Sequence, residues 1–325
     1  MQALVFDGDV KLVDLPVPAP QAGEALLRVR VAGICGTDLH ISQGYADFRG
    51  VLGHEFVADV VAAPEPQWLG RRVVGEINLP CGTCARCQAG QPRHCAARRV
   101  LGIRGKDGCL AAFATLPLAN LQVVPDTVPD AFAVFTEPLA AALEILEQVH
   151  ICPSSRVLII GDGRLGLLIA LVLRLLGCDL HLVGRHPRNL DFIAARGVMV
   201  HPADGFAQDG FEVVIEATGN PAGWQTALQA VRPRGTIVLK STYPGRGEAN
   251  PTALVLPEVT VVGSRCGPFA PALRLLARRL INPKKLISRV YPLAQAPEAL
   301  AYAGQRGVLK VLVEMPLYES DVSVV

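Results

Sequence analysis

The sequence predicts an α/β protein in which a doubly wound parallel sheet forms one of two domains. Its 325 residues are long for a single hydrophobic core and suit two. Residues 156–177 combine a short β-rich run, a glycine-rich turn and an apolar helix pattern: RVLIIGDGRLGLLIALVLRLLG. Further strand candidates follow, several of them separated by helical stretches as an alternating α/β domain requires: DLHLV (179–183), EVVIEATG (212–219), GTIVLK (235–240) and VTVVGS (259–264).

The glycine-rich turn has the spacing GxGxxG between a strand and a helix, where that spacing predicts dinucleotide binding. Gly161 permits the tight turn, Gly163 lets a pyrophosphate approach the backbone, and Gly166 lets the helix pack closely on the strand. Free N–H groups at the start of the helix then meet the anion. The sequence therefore predicts a Rossmann domain whose binding loop is Gly161, Asp162, Gly163, Arg164, Leu165 and Gly166.

The end of the second predicted strand indicates which dinucleotide binds. An NAD site usually has an Asp or Glu there, about 20 residues after the glycines, to bond the adenosine ribose. This chain has Gly184 instead, followed by Arg185, His186 and Arg188. Without the acid there is less repulsion, and guanidinium groups suit a 2′-phosphate. We expect NADP(H) in preference to NAD(H); the alternative is a solvated basic turn after a strand.

The composition of the chain argues against two classes of partner, nucleic acids and membranes. Half of the residues are apolar, 18% are charged and the net charge is +2, without a long basic run, which argues against nucleic acid. The start, MQALVFDGDVKL, does not have the layout of a secretory signal. The longest apolar segment, LGLLIALVLRLLG, is interrupted by Arg174 and shorter than the ~20 residues of a membrane span. We expect a cytoplasmic protein with no membrane partner.

Four of the nine cysteines lie in the segment CGTCARCQAGQPRHC. Two residues between successive cysteines let thiolates converge on one ion, and four sulfurs complete a closed tetrahedral zinc site. The alternative is a CxxC redox pair, which usually opens a helix and uses two cysteines. A closed shell leaves no position for substrate, so the predicted site is structural; its ligands are Cys81, Cys84, Cys87 and Cys95.

Three further stretches of the sequence are distinctive: GICGTDLH (33–40), GHE (53–55) and TEPL (136–139). Together with the cysteine cluster and the glycine turn, they resemble the zinc-dependent medium-chain dehydrogenase/reductase family, and the resemblance runs nearly end to end. The resemblance implies an N-terminal GroES-like β-barrel domain, a Rossmann domain, a return of the C-terminus to the barrel, and an active site in the cleft between domains. From composition, the barrel domain is predicted at 1–124 and 287–325, with the zinc lobe at about 78–100, and the Rossmann domain at 125–286.

The resemblance also implies a second, catalytic zinc. Cys35 and His54 are suitable ligands, and Glu55 and Glu137 are oxygen candidates. Each also has an ordinary structural explanation: a small buried thiol, a surface ion pair, or an acid at a helix start. The familiar alcohol dehydrogenases have a second cysteine where this chain has Glu137, which is similar to the polyol, glucose and threonine dehydrogenase branch. In that branch the two glutamates bind the metal directly, exchange places or hold its water, and the sequence leaves these arrangements open.

Further roles are implied by the same resemblance. Thr37 matches the family's proton-relay hydroxyl and His40 its outer base, although a turn threonine bonded to its own backbone is the alternative for Thr37. On the nicotinamide side the expected cofactor-binding residues are Ala217, Thr218, Ser241 (in the stretch Ser241-Thr242-Tyr243), Ser264 and Arg265.

These expectations combine into one function. The chain is expected to bind two zinc ions, one catalytic and one structural, and to transfer hydride between NADP and an alcohol, polyol or sugar or its carbonyl product. A homodimer or homotetramer is expected. The alternatives are an NAD-dependent threonine- or sorbitol-type dehydrogenase, a nucleotide-binding member of the fold without turnover, and, against the even charge, a zinc-ribbon nucleic-acid binder.

Overall fold

The computed structural model describes residues 1–242 and 251–316. Tyr243, which the sequence placed in a nicotinamide-side loop, lies outside these residues. The chain divides into two compact units, one formed by Met1–Glu137 together with the chain from Ala272 onward, and one formed by Pro138–Pro271. The domain boundaries expected from composition stay a prediction.

Within the described residues, the strands and helices are numbered along the chain. The strands are β1 (Gln2–Phe6), β2 (Val10–Asp14), β3 (Glu24–Ile34), β4 (Gly50–Val51), β5 (Glu55–Ala62), β6 (Arg72–Gly75), β7 (Asn78–Leu79), β8 (Arg99–Leu101), β9 (Gly105–Lys106), β10 (Phe113–Pro117), β11 (Leu121–Val123), β12 (Arg156–Ile160), β13 (Asp179–Gly184), β14 (Met199–Pro202), β15 (Phe211–Glu216), β16 (Val231–Leu239), β17 (Thr260–Gly263), β18 (Ile287–Pro292) and β19 (Lys310–Glu314). The helices are α1 (Gly36–Ile41), α2 (Ala85–Gln88), α3 (Asp130–Ala133), α4 (Thr136–Gln148), α5 (Arg164–Leu173), α6 (Pro187–Ala194), α7 (Pro221–Ala230), α8 (Thr252–Val255), α9 (Phe269–Ala277) and α10 (Ala296–Ala303).

The first unit is organised around β3, whose apolar run EALLRVRVAGI is buried along most of its length. Its main sheet has the order β11-β6-β5-β3-β19-β18, and β10 also pairs with β3. Strand β19, from near the end of the chain, lies antiparallel beside β3. The C-terminal segment therefore completes the sheet that β3 and β5 begin. Smaller sheets, β2-β1-β4 and β7-β8-β9, flank it in sequence.

The second unit contains a parallel sheet in the order β14-β13-β12-β15-β16-β17. Numbered along the chain this order is 3-2-1-4-5-6, the arrangement of dinucleotide-binding sheets, in which ligands bind at the carboxyl ends of the strands where the order reverses. Here the reversal lies between β12 and β15. The doubly wound parallel sheet predicted from the sequence is confirmed, and the short β14 is the strand that the pattern did not indicate.

Helix α4 covers the segment TEPLAAALEILEQ, which starts with the TEPL stretch. Leu139, Ala142 and Leu143 are buried along its inner face, as the 3.6-residue period requires. Helix α5 ends earlier than its apolar pattern, since a 3-10 turn follows it and Gly177 takes a left-handed conformation with φ of 70°.

Candidate metal centres and dinucleotide site

The four cysteines of the cluster converge in the lobe that follows β7. Cys84 caps the start of α2, Cys87 lies within it, and Cys95 follows a short 3-10 turn. The Sγ atoms of Cys84 and Cys87 are 3.5 Å apart, those of Cys84 and Cys95 are 3.8 Å apart, and those of Cys81 and Cys95 are 3.5 Å apart. Four ligands at the usual Zn–S distance of about 2.3 Å form a tetrahedron with edges of about 3.8 Å. The cluster therefore has the dimensions of a four-thiolate zinc site.

Backbone donors also favour thiolates in this lobe. The N–H of Cys84 donates to Sγ of Cys81 at 3.4 Å, and the N–H of Cys81 donates to Sγ of Cys95 at 3.3 Å. Hydrogen bonds from Thr83 and Cys84 lower the pKa of the Cys81 thiol to about 6. The pKa of the Cys84 thiol is also lowered, whereas burial and the neighbouring thiols raise the pKa of Cys87 to about 12. Since only the thiolate is a metal ligand, Cys81 and Cys84 are the thiols whose surroundings favour a bound cation.

A second group of potential ligands lies in the first unit. One ligand atom each from Cys35, His54 and Glu55 lies within 4.8 Å of the others. Cys35 follows β3, and His54 and Glu55 stand at the start of the neighbouring strand β5. Gly33 is paired with Glu55 across these strands, and a Cβ there would lie 2.5 Å from Oε2 of Glu55. A glycine at position 33 thus makes room for the Glu55 carboxylate.

Asp38 joins the two ligand-bearing loops, and the sequence analysis did not assign it to the site. It is fully buried; Oδ2 accepts the N–H of Cys35 at 2.8 Å and Oδ1 accepts the N–H of Gly53 at 3.1 Å. Nδ1 of His54 lies 3.4 Å from Oδ1 of Asp38, close enough for an ion pair although outside hydrogen-bonding geometry. Asp38 therefore holds the two loops through its backbone bonds and acts on the His54 ring through its charge.

The electrostatics of this group favour a cation. Burial alone would lower the pKa of His54, but the charges of Asp38 and Cys35 raise it well above its usual value. Burial raises the pKa of Glu137 to about 7, and the Glu55 carboxylate adds to this effect. Glu137 does not join the set of ligand atoms within 4.8 Å. Acids in such surroundings are stabilised by added positive charge.

Lys310 is the second residue that the sequence analysis missed. It is 1% exposed on β19, and its Nζ donates to Oε2 of Glu55 and, at 3.3 Å, to the carbonyl of Ile34. The other carboxylate oxygen of Glu55, Oε1, is buried with no hydrogen-bond partner among the described residues. A buried carboxylate oxygen without a partner is costly, and a metal ion at the Cys35–His54–Glu55 group would satisfy it. The residues present therefore fit a catalytic zinc.

The two predicted proton-relay residues lie on α1. Thr37 and His40 are partly buried and three positions apart, on one face of this short helix. The Thr37 hydroxyl oxygen is 3.8 Å from Sγ of Cys35, and the His40 ring has an edge contact with Tyr45 at a centroid distance of 6.1 Å. Thr37 is thus placed beside a predicted metal ligand.

In the second unit the glycine turn has the shape of a dinucleotide cradle. Gly161 has φ of 113°, and a Cβ there would lie 2.8 Å from the carbonyl oxygen of Ala217 at the end of β15. A Cβ at Gly166 would lie 1.9 Å from the carbonyl oxygen of Gly161. A Cβ at Gly163, which caps α5, would meet no described atom within 4 Å. The first and third glycines are required by packing, and the second borders open space, as pyrophosphate binding requires.

At the end of β13 the structure places a carboxylate that does not come from that strand. Asp162, of the glycine turn, is 4% exposed, and a Cβ at Gly184 would lie 2.5 Å from Cβ and Cγ of Asp162. The side chains of Arg185 and Arg188 are exposed, and neither guanidinium forms a hydrogen bond or ion pair with a described residue.

The remaining predicted cofactor residues are held by local bonds. Thr218 is exposed beside Ala217, and its hydroxyl donates to Oε1 of the buried Glu216 at 2.5 Å. Ser241 Oγ accepts the N–H of Gly219 at 2.7 Å. Ser264 is buried and accepts from Nζ of Lys240 at 3.0 Å, whereas Arg265 is exposed. Partly buried Arg164 and Leu165 start α5.

Comparison with known proteins places this architecture in a family. Residues 21–126 match the alcohol dehydrogenase GroES-like domain, and residues 131–315, more than half of the chain, match the glucose dehydrogenase C-terminus. The chain belongs to the zinc-binding medium-chain dehydrogenase/reductase family. The expected combination of a GroES-like domain and a Rossmann domain is confirmed.

Three relatives of this family member span nearly its whole length. D-arabinitol dehydrogenase 1 of Uromyces fabae is 29% identical over 97% of each chain. A protein of Sinorhizobium meliloti 1021, classed as a zinc-binding dehydrogenase and solved bound to NADP, is 29% identical with a TM-score of 0.89, covering 96% of this chain and 98% of that one. The RspB protein of Escherichia coli CFT073, complexed with NADH, is 26% identical with a TM-score of 0.88, covering 97% and 99%. In the described part of this family member, no helix is long and apolar enough to cross a membrane.

We predict that Asp38→Asn weakens zinc binding at the Cys35–His54–Glu55 group by about 10- to 100-fold, because the amide supplies one acceptor oxygen for two backbone donors and no charge for His54. Competition with a chromophoric chelator measures this affinity. Binding at the four-cysteine lobe should not change, and the exposed Asp126→Asn is the control. Unchanged zinc affinity in Asp38→Asn would show that Asp38 does not support the ligands.

We predict opposite behaviour for two alanine substitutions in the glycine turn. Gly166→Ala should destabilise the protein by about 1–3 kcal/mol or more, because its Cβ overlaps the Gly161 carbonyl. Gly163→Ala should unfold in urea like the wild type but bind NADPH at least about tenfold more weakly, since its methyl group enters the open space. Urea unfolding and NADPH fluorescence titration measure the two effects. Wild-type binding by Gly163→Ala would place the pyrophosphate elsewhere.

Proposed function

We propose that this family member is a zinc-dependent oxidoreductase that transfers hydride between NADP(H) and an alcohol, polyol or sugar or its carbonyl product. The observation that carries the proposal is the group of Cys35, His54 and Glu55, in which a buried carboxylate oxygen has no described partner. Such a group of one thiol, one imidazole and one carboxylate holds zinc while leaving a position open for substrate, unlike the closed four-cysteine lobe.

Each residue of the group has a proposed role. When bound, zinc supplies Lewis-acid polarisation of the substrate oxygen, and the nicotinamide ring supplies the hydride exchange. Cys35 and His54 hold the metal, and Asp38 keeps both in place. Oε1 of Glu55 is the available third ligand atom while Lys310 holds Oε2. Glu137, whose raised pKa reflects burial among other acids, is proposed to exchange with Glu55 or to hold a water molecule.

The proton of an alcohol substrate needs a path to solvent. We propose that the Thr37 hydroxyl, which lies beside Cys35, accepts it and that His40 passes it on. An imidazole suits this step because its ordinary pKa of about 6.5 lies near neutral pH. The four-cysteine lobe takes no part in the transfer and contributes folding free energy only.

The cofactor preference rests on the turn after β13. Relatives of this fold bind either dinucleotide, since NADP is bound in one of them and NADH in another. The exposed Arg185 and Arg188, without described partners, suit the 2′-phosphate that distinguishes NADP. The alcohol or polyol class of substrate is supported by the arabinitol dehydrogenase among the relatives. Cytoplasmic location and a homodimeric or homotetrameric state stay predictions.

We predict two zinc ions per chain by metal analysis. Cys35→Ala should retain one and should lose hydride transfer in a screen of secondary alcohols, polyols, aldoses and amino alcohols followed by nicotinamide absorbance. Cys152→Ala removes a thiol outside both groups and should behave like the wild type in both measurements. An unchanged zinc content in Cys35→Ala would exclude the catalytic assignment, and a wild type that turns over no substrate class would favour a nucleotide-binding protein without activity.

We predict that NADP binds more tightly than NAD and that Arg185→Ala weakens NADP binding about tenfold while changing NAD binding little. A guanidinium–phosphate hydrogen bond is worth more than a neutral one, which accounts for the size of the loss. Calorimetric titration of both cofactors measures it, with the exposed Arg71→Ala of the first unit as control. If the wild type binds NAD more tightly, the NADP assignment is wrong.

A further inference from the structure

We infer that Asp162 is a positioning residue for cofactor specificity: its carboxylate fixes the turn that carries Arg185 and so sets the preference for the 2′-phosphorylated dinucleotide. This inference rests on the proposed NADP preference. Asp162 occupies the second position of the glycine turn, where the spacing GxGxxG places no requirement on the side chain. Its role therefore has to be derived from its contacts.

Asp162 connects the glycine turn to the start of α6 by several bonds. Its Oδ2 accepts the backbone N–H of His186 at 2.7 Å, and Nδ1 of the same imidazole lies 3.1 Å from both carboxylate oxygens. Its main-chain carbonyl accepts Nδ2 of Asn189, a buried residue on α6, at 2.8 Å. The segment from His186 to Asn189 is thus held by the glycine turn at both of its ends.

The carboxylate is used within the protein. Asp162 is 4% exposed, and a buried carboxylate requires partners, which His186 supplies to both oxygens. In an NAD site the acid after the second strand has to reach the ribose hydroxyls. Asp162 also lies beside the end of the second strand, but its carboxylate faces the His186 imidazole. Because both of its oxygens are bonded to His186, Asp162 is not available to bond the ribose hydroxyls as the acid of an NAD site does.

Asp162 also explains the glycine at position 184. A Cβ at that position would lie 2.5 Å from Cβ and 2.8 Å from Oδ2 of Asp162. The side chain of Asp162 fills the volume that a residue at 184 would need, so no acid can stand there while Asp162 is present. Asp162 and Gly184 together exclude the Asp or Glu that ends the second strand in NAD sites. Arg185 is then the first exposed side chain after β13.

Calorimetric titration of the purified full-length chain tests the inference with four probes: NADP, NAD, 2′,5′-ADP and 5′-AMP. Asp162→Asn should weaken NADP and 2′,5′-ADP by about tenfold and change NAD and 5′-AMP by less than about twofold, because the loosened turn carries Arg185, whose proposed partner is the 2′-phosphate that NAD and 5′-AMP lack. A merely structural role would lower the melting temperature and weaken all four probes alike. Asp191→Asn, an exposed acid on α6, is the matched control and should leave all four affinities unchanged.

A second variant keeps the test decisive if Asp162→Asn folds poorly. His186→Ala removes only the imidazole from a partly exposed side chain and should shift the same ratio of affinities in the same direction, by a smaller factor. The double variant should be no worse than Asp162→Asn alone, since both changes remove one interaction. Equal losses for NADP and NAD, or none, would overturn the role of Asp162. A wild type that prefers NAD would instead refute the proposed function.

Discussion

The first unit depends on one buried ion pair, between Lys310 of β19 and Glu55 of β5. Both side chains are almost completely buried, and Lys310 also donates to the carbonyl of Ile34, the last residue of β3. Breaking such a pair leaves an uncompensated buried charge and typically costs about 3–5 kcal/mol. The strand that precedes Cys35, the strand that follows His54 and a strand from the far end of the chain are therefore joined at one point. The ion pair is therefore one constraint on both the order of these three strands and the placement of the ligands at their ends.

This constraint also determines the charge of the proposed catalytic centre. Lys310 neutralises one carboxylate, but Asp38, Glu137 and the thiol of Cys35 surround the same histidine. The excess of acidic groups raises the pKa of His54 and, together with burial, that of Glu137. A divalent cation relieves both effects at once. The charges of the surrounding acids alone therefore favour a cation at the Cys35–His54–Glu55 group, independently of the distances between the ligand atoms.

The sequence alone predicted the features whose residues all lie within one short segment of the chain. The four cysteines and the glycine turn each lie within one run of residues, so their spacing was sufficient, and the alternating pattern predicted the parallel sheet. Asp38 stands in the stretch GICGTDLH, but its role depends on a loop that begins fifteen residues later. Lys310 is a lysine inside the largely apolar stretch VLKVLVE, which is an unusual place for a charge and was the signal that could have been followed. Its partner lies 255 residues away, and no local pattern specifies that distance.

Asp162 and Glu55 show that a buried carboxylate can favour either an anion or a cation beside it. Each is a buried acid held by a basic side chain of its own unit, His186 in one case and Lys310 in the other. Glu55 keeps one oxygen without a described partner among further acids, and the site favours a cation. Asp162 has both oxygens bonded, and the exposed groups beside it are arginines, so that site favours an anion. What distinguishes them is the number of carboxylate oxygens that the fold leaves unsatisfied. An acid in a motif therefore indicates a ligand only after its internal partners have been counted.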